Sequence, residues 1–453
     1  MEAELIVIGG GAAGLAAARA ARRRDVRVTL VSDGPLGGEC TFTGCVPSKT
    51  LLNGARRGLS FTAAMANVSK VIETIARSED EAALRVEGVD VIRGRARFTG
   101  PSTLDVDGGL YHSKRFVLAT GAGPLVPVIS GLERECVLTN DNLFHLTTLP
   151  PRFAILGGGP IGVEMAEAFA RLGSHVTLIE AADRLLPREE TEASSAITHY
   201  LEALGVRVSV ATTCIGVRHS ASTSRLDFNT GEPLECDEFL VAVGRRPSSE
   251  GLGLETSGVR VDERGFVKVD DRLRTNIGGI FAAGDVSQAL QFTHVADETG
   301  RIAAGNALSR VAFRRFNPRW IPMVTFTGLE VARVGITERD SAKGARVAYL
   351  PMSEFDRALM SGDDRGFVKI IVGPRRFSGN IAGGSILGAT VVAPRAGEMI
   401  HEIVLAMRAG LFSARLATAT HAYPSWSTAV QLTAAQFFGE FGGRQARSAR
   451  TME

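Results

Sequence analysis

Twice in this chain an apolar run leads straight into the spacing G-x-G-x-x-G and then into a helix-forming stretch. The first copy is Glu4-Leu-Ile-Val-Ile-Gly9-Gly-Gly11-Ala-Ala-Gly14, followed by an Ala-rich segment to Arg22 and a second apolar run, Val26 to Val31. The second is Phe153-Ala-Ile-Leu-Gly157-Gly-Gly159-Pro-Ile-Gly162, with a helical pattern to Leu172 and an apolar run from His175 to Ile179. Each reads as a βαβ unit. The first glycine permits a tight turn, the second lets the backbone approach a pyrophosphate, and the third lets helix and strand pack closely. The phosphates then rest on a helix N-terminus. One such motif says little, but two, each bracketed by strand and helix, predict two Rossmann-like dinucleotide-binding domains in an α/β protein.

The acid at the end of the second strand separates the two units. In the later one Glu180 follows Ile179, where a carboxylate accepts from both ribose hydroxyls and repels a 2′-phosphate, which predicts NADH in preference to NADPH. In the earlier one the equivalent position is Ser32, and Asp33 is the candidate ribose contact.

At 453 residues the chain is too long for one hydrophobic core. Lys+Arg number 51 against 49 for Asp+Glu, so no chain-wide field draws in nucleic acid or an anionic membrane. The uncharged stretch Phe116 to Leu132 is broken by Pro124 and Pro127 and does not read as a membrane span. The apolar N-terminus has no basic region before it and is not read as a signal. Five cysteines, an odd number without framework spacing, predict a reducing cytoplasm, where a close pair means redox chemistry or metal binding rather than a staple.

That pair is Cys40 and Cys45, in Gly37-Gly38-Glu39-Cys40-Thr41-Phe42-Thr43-Gly44-Cys45-Val46-Pro47-Ser48-Lys49. The C-x4-C spacing suits one helical turn, bringing both sulfurs within disulfide reach. No second CxxC completes a zinc site, so no metal is expected, and Cys136, Cys214 and Cys236 read as core residues.

This stretch resembles the active-site motif of the class I pyridine nucleotide-disulfide oxidoreductases, the family of dihydrolipoamide dehydrogenase, glutathione reductase and mercuric reductase. The resemblance covers nearly the whole chain. Ala119-Thr120-Gly121 resembles the close of the first FAD half, and Val243-Gly244-Arg245-Arg246-Pro247 the end of the nicotinamide domain. Ile280-Phe281-Ala282-Ala283-Gly284-Asp285 resembles the second FAD motif, whose aspartate binds the ribityl chain. It implies an FAD domain over 1–145 and 271–318, a nicotinamide domain inserted at 146–270, an α+β dimerisation domain over 319–445 and a polar tail over 446–453. It further implies that Cys45 is the flavin-proximal sulfur and Cys40 the exchange thiol. Lys49 sits beside the flavin and pairs with Glu164, and His294 opens a helix facing the flavin. A homodimer follows, in which the 421–428 segment of one subunit covers the site of the other.

One departure matters. Dithiol-handling members end in His-x-His-Pro followed by a glutamate, whereas this chain has His421-Ala422-Tyr423-Pro424 and, at the glutamate position, Thr428. At neutral pH tyrosine is ionised to about one part in a thousand, so it is a poor base, and His421 is the candidate that compensates. Mercuric reductases also use a tyrosine in this region, though their N-terminal metal-binding domain and C-terminal cysteine pair have no counterpart here. The expected activity is NAD(P)H-dependent electron transfer through FAD and the cysteine pair to a small disulfide, metal-ion or quinone-like acceptor. The alternatives are a dihydrolipoamide dehydrogenase with an altered acid-base residue, and a weakly catalytic flavoprotein acting as a redox sensor or binding partner.

Overall fold

The computed structural model describes residues 3–133, 136–220, 222–287, 290–374, 379 and 381–450. They form two compact units. The first comprises Met1–Pro127, Cys136–Thr148 and Val243–Asn317, and the second Val128–Glu135, Leu149–Ala242 and Pro318–Glu453.

In the first unit, Leu5–Ile8 is a run of four apolar residues buried throughout, as a strand covered on both faces of a sheet must be. It pairs in parallel with Val28–Ser32 on one side and Phe116–Leu118 on the other. Ile280–Ala282 and Asp90–Arg93 complete a five-stranded sheet at its two edges. Strand follows strand in parallel only through crossovers, and the helix Ala12–Arg22 supplies the first of them. An antiparallel meander, 96–112, and a small ribbon pairing Arg245–Pro247 with Ala122–Pro124 lie in the same unit. That ribbon ties Val243 onward to the first unit, so residues 243–270, read from the sequence with the nicotinamide module, pack here.

The second unit repeats the parallel theme in the order Arg207–Ser209, His175–Ile179, Arg152–Leu156, Glu238–Val241. It also contains a six-stranded antiparallel sheet built from the C-terminal third. On that sheet lie the helices Ala396–Arg408 and Thr428–Ala435, burying Met399, Ile400, Ile403 and Val430 against strand residues such as Val368 and Val391. The polar tail is not wholly irregular: Arg447–Ser448 pairs with Arg346–Val347 as the sheet's edge, and residues 451–453 lie outside the described residues. Among the described residues no helix is long and apolar enough to cross a membrane.

Candidate active site

Both glycine turns have the form their spacing demands. Gly9 has φ +109, and a Cβ on Gly14 would lie 1.8 Å from the Gly9 carbonyl oxygen, so helix and turn close only on glycine. Gly11 differs. A Cβ there would point into open space with nothing nearer than Gly38 Cα at 4.0 Å, which is the room a pyrophosphate needs. The later turn matches: Gly157 has φ +114, Gly162 would clash with the Gly157 oxygen at 1.8 Å, and Gly159 faces empty space. There Glu180 accepts the Gly158 amide at 2.6 Å and the Ala182 amide at 2.7 Å, which holds its carboxylate at the glycine turn. Asp33 is exposed just beyond Ser32.

The cysteine pair is arranged differently from the single turn its spacing suggests. Cys40 lies in the short helix Gly38–Phe42, and Cys45 opens a second helix, Cys45–Arg56. The chain breaks at Thr43 and Gly44, because Gly44 is pressed so near the first helix that a Cβ would stand 2.9 Å from the Glu39 carbonyl oxygen. The break places Cys45 at the N-terminus of a 12-residue helix, where the dipole favours a thiolate. Thr293, first residue of the helix Thr293–Ala307, brings its hydroxyl 3.2 Å from the Cys45 sulfur and donates to the Cys40 sulfur at 3.2 Å. The hydrogen bond with Cys45, and then burial, push the Cys40 thiol well above its ordinary range.

Behind the pair runs a charged chain. Arg245 donates to Glu39 at 2.7 Å and to the Ala122 carbonyl at 2.7 Å, and stands 3.4 Å from Asp285. Asn140 donates to Glu39 at 2.6 Å. Burial pushes Asp285 up to about 6 against the opposing pull of Arg245. The buried Nε of Arg245 has no hydrogen-bond partner among the described residues. A buried carboxyl, an orphaned donor and the open Gly11 turn together fit the ribityl and phosphate groups of FAD. Gly284, at φ +70, turns the chain into Asp285. Thr120 donates to the Ser248 carbonyl at 2.6 Å, and the Ser248 amide returns to the Gly121 carbonyl at 2.9 Å. The Gly244 carbonyl accepts from Leu125 at 3.0 Å, and the His294 ring stacks on Phe292.

Lys49 belongs to the first unit, where its amine donates to Ser48 at 3.4 Å. Glu164 belongs to the second, buried and accepting the Phe326 amide at 2.9 Å. His421 has both ring nitrogens engaged, Nδ1 with the Ala419 carbonyl at 2.9 Å and Nε2 with Glu402 at 2.9 Å. Burial opposes its charge, but the Glu402 carboxylate outweighs it and raises its affinity for a proton. Tyr423 is exposed and donates to Asp356 at 3.0 Å, which pushes its ionisation upward. Thr428 bonds the Ala422 carbonyl at 3.3 Å and the Ser425 hydroxyl at 3.2 Å, bracing the turn that carries Tyr423.

Sequence reasoning missed Thr293, Glu39 and Asn140. Thr293 directly precedes His294 and Glu39 directly precedes Cys40, so adjacency to a motif was the available signal. Cys136 is a correction. It is exposed, whereas Cys214 and Cys236 are buried as expected. Among the described residues no group of three or more His, Cys, Asp or Glu gathers to hold a metal ion.

Residues 3–300 match the profile described as pyridine nucleotide-disulphide oxidoreductase, and residues 321–434 match the dimerisation domain of the same family. Mercuric reductase of Staphylococcus aureus is 33% identical over 96% of this chain and 82% of its own length. Dihydrolipoyl dehydrogenase of Thermus scotoductus is 33% identical over 94% of this chain and 95% of its own. Among solved structures, the Cu(II) complex of RclA, an HOCl-induced flavoprotein disulfide reductase of Escherichia coli, superimposes with a TM-score of 0.88 at 31% identity, covering 96% of this chain and 99% of that one. The paired glycine turns, the cysteine pair at a helix N-terminus and the C-terminal sheet domain thus agree with sequence likeness along the whole chain, which belongs to the class I pyridine nucleotide-disulfide oxidoreductases, a family of FAD-dependent oxidoreductases that use a pyridine nucleotide.

Proposed function

We propose that this enzyme uses NADH to reduce a thiol-binding metal ion, Hg(II) or Cu(II), at the Cys40–Cys45 pair. The observation that carries the reading is Thr293, whose hydroxyl reaches both sulfurs at 3.2 Å and so gathers two soft donors at one point. NADH gives up a hydride, and its two electrons pass to one Hg(II) ion or to two Cu(II) ions in succession, leaving NAD⁺ and one proton. FAD, when bound, supplies the two-electron relay between nicotinamide and cysteines. Gly9, Gly11, Gly14, Thr120, Gly121, Gly284, Asp285 and Arg245 hold it, and Lys49 serves its reactive end. Gly157, Gly159, Gly162 and Glu180 hold the nicotinamide cofactor. Metal reduction asks for no proton shuttle of the kind a dithiol requires. That suits a chain with Tyr423 at the shuttle position and with both nitrogens of His421 already bonded. Support also comes from the likeness to mercuric reductases and to a Cu(II)-bound disulfide reductase. The enzyme works as a homodimer in this reading, consistent with its dimerisation domain.

The rival reading, a dihydrolipoamide dehydrogenase, draws on comparable sequence likeness. Stopped assays of NADH oxidation by the flavin-loaded enzyme, with mercuric ion, cupric ion, oxidised lipoamide, glutathione disulfide or a quinone as sole acceptor, separate the readings. Turnover with a metal ion that Cys40→Ser abolishes is the expected result. Rapid lipoamide turnover without metal turnover establishes the rival, and none with any acceptor establishes a sensor.

A further inference from the structure

Near balance of charge over the whole chain conceals a local cluster. The helix Thr293–Ala307 ends in the loop Leu308-Ser-Arg310-Val311-Ala-Phe313-Arg314-Arg315-Phe316, which combines apolar and cationic side chains. Val311 is 73% exposed and Phe313 63% exposed, two residues apart at the tip of the loop. Both flanks are basic. Arg310, Arg314 and Arg315 lie in the loop, and the Arg24 guanidinium reaches across to the Gly305 carbonyl at 3.1 Å and Ser309 at 3.4 Å. Arg315 is paired with Asp271, while Arg310 and Arg314 form no ion pair among the described residues.

The base of the loop is fixed. Asn306, buried, donates to the Arg314 and Arg272 carbonyls at 2.9 Å each and accepts the Arg314 amide at 3.1 Å. The Phe316 ring is buried and its amide bonds the Asp271 carbonyl at 2.8 Å. The two ends of the loop are thereby held, which limits the conformational entropy that docking its tip costs. Complementing the negative end of the helix accounts for Arg24, which bonds a last-turn carbonyl. It does not account for two large apolar side chains held in water beside Arg310, which forms no ion pair among the described residues, and Arg314, whose guanidinium lies 5.8 Å from the centre of the Phe313 ring.

We propose that this loop is a docking point for an anionic lipid surface, with Val311 and Phe313 entering the headgroup boundary and Arg24, Arg310 and Arg314 meeting lipid phosphates. An apolar wedge ringed by cations fits a surface that is acidic outside and apolar just beneath. An acidic protein offers only the first of these. The inference is independent of which acceptor the cysteine pair reduces.

Co-sedimentation of the full-length, flavin-loaded protein with vesicles tests it. Vesicles containing phosphatidylglycerol should bind it on the order of tenfold more tightly than phosphatidylcholine alone, and salt near 0.5 M should release it. Val311→Ser with Phe313→Ser should abolish binding, and Arg310→Glu should remove the preference for anionic lipid. Retained flavin absorbance reports that the variants fold. Equal sedimentation with both lipids, or undiminished binding by the double variant, overturns the proposal. So does capture by polyglutamate with none by vesicles, which identifies an acidic protein partner instead.

Discussion

The hydroxyl of Thr293 donates a hydrogen bond to the sulfur of Cys40 at 3.2 Å, linking residues that lie far apart in the chain. A donor aimed at sulfur favours the thiolate, and here it counters part of the rise that the Cys45 hydrogen bond and burial impose on Cys40. Thr293→Val keeps the shape and removes the donor. A hydrogen bond to a charged group is worth about 1.5–3 kcal/mol, so thiolate formation in the reduced pair should move up by roughly one to two pH units. Ultraviolet titration of thiolate absorbance in the reduced protein checks this. An unmoved midpoint makes the hydroxyl a spacer.

The two roles within one glycine motif can be separated. Gly14→Ala sets a methyl 1.8 Å from the Gly9 oxygen and should cost about 3 kcal/mol of stability or prevent folding. Gly11→Ala meets no protein atom and should leave the fold intact, yet its methyl enters the space a pyrophosphate needs. Circular dichroism melts and flavin content after purification measure both. A Gly11→Ala protein with full flavin would place the phosphates elsewhere.

These contrasts show which parts of the molecule the sequence exposes to reading. Gly9, Gly11, Gly14 and their later counterparts are legible because each constraint acts within a few residues. The Cys40–Cys45 motif is legible for the same reason, although the break at Gly44 depends on how tightly the turn packs against the Glu39 carbonyl. Glu39 and Arg245 meet only because the ribbon between Ala122–Pro124 and Arg245–Pro247 closes. No local pattern announces such a pairing. The edge strand at Arg447 is invisible for a related reason: its short polar sequence has no period of its own, and Glu338 draws Arg447 into place.

Glu180 should set the choice of nicotinamide. Its carboxylate, fixed by the Gly158 and Ala182 amides, confronts a 2′-phosphate with like charge, a juxtaposition that costs several kcal/mol. NADH should therefore exceed NADPH in kcat/KM by on the order of a hundredfold. Glu180→Ser should narrow the ratio chiefly by improving NADPH. Equal efficiencies in the unaltered enzyme would show that Arg184 or another cation overrides the carboxylate.

Glu338 gives the C-terminal sheet a pH dependence. Burial opposes its charge, but hydrogen bonds from Arg447 and the Arg450 amide, with the nearby Lys369 amine, outweigh burial and pull it down to about 2. A carboxylate whose folded value lies below its unfolded value of 4.5 contributes stability that is complete above about pH 4.5 and lost as pH falls toward 2. Glu338→Gln should destabilise the protein by up to about 3 kcal/mol at pH 7, and the gap should shrink below pH 4.5. Urea melts of both proteins across that range measure it. A constant difference would assign the loss to packing rather than charge.

Tyr423 bears most directly on mechanism. Its hydroxyl is exposed and bonded to Asp356, which makes ionisation harder still. His421, the candidate that could stand in as a base, is tied at both nitrogens to Ala419 and Glu402. Oxidation of a dithiol needs a base, so dihydrolipoamide turnover should be slow while metal-dependent NADH oxidation is not. Tyr423→His together with Thr428→Glu restores a base and the carboxylate that orients it. Dithiol turnover should then rise, by at most about a thousandfold, the ratio of ionised histidine to tyrosine bases at neutral pH. The rise should be far smaller if geometry is imperfect, because Thr428 now braces the turn through Ala422 and Ser425. Metal reduction should be unmoved by the same pair of changes. If the unaltered enzyme already oxidises dihydrolipoamide rapidly, and His421→Gln stops it, then His421 leaves its partners during catalysis and the lipoamide reading replaces the metal one.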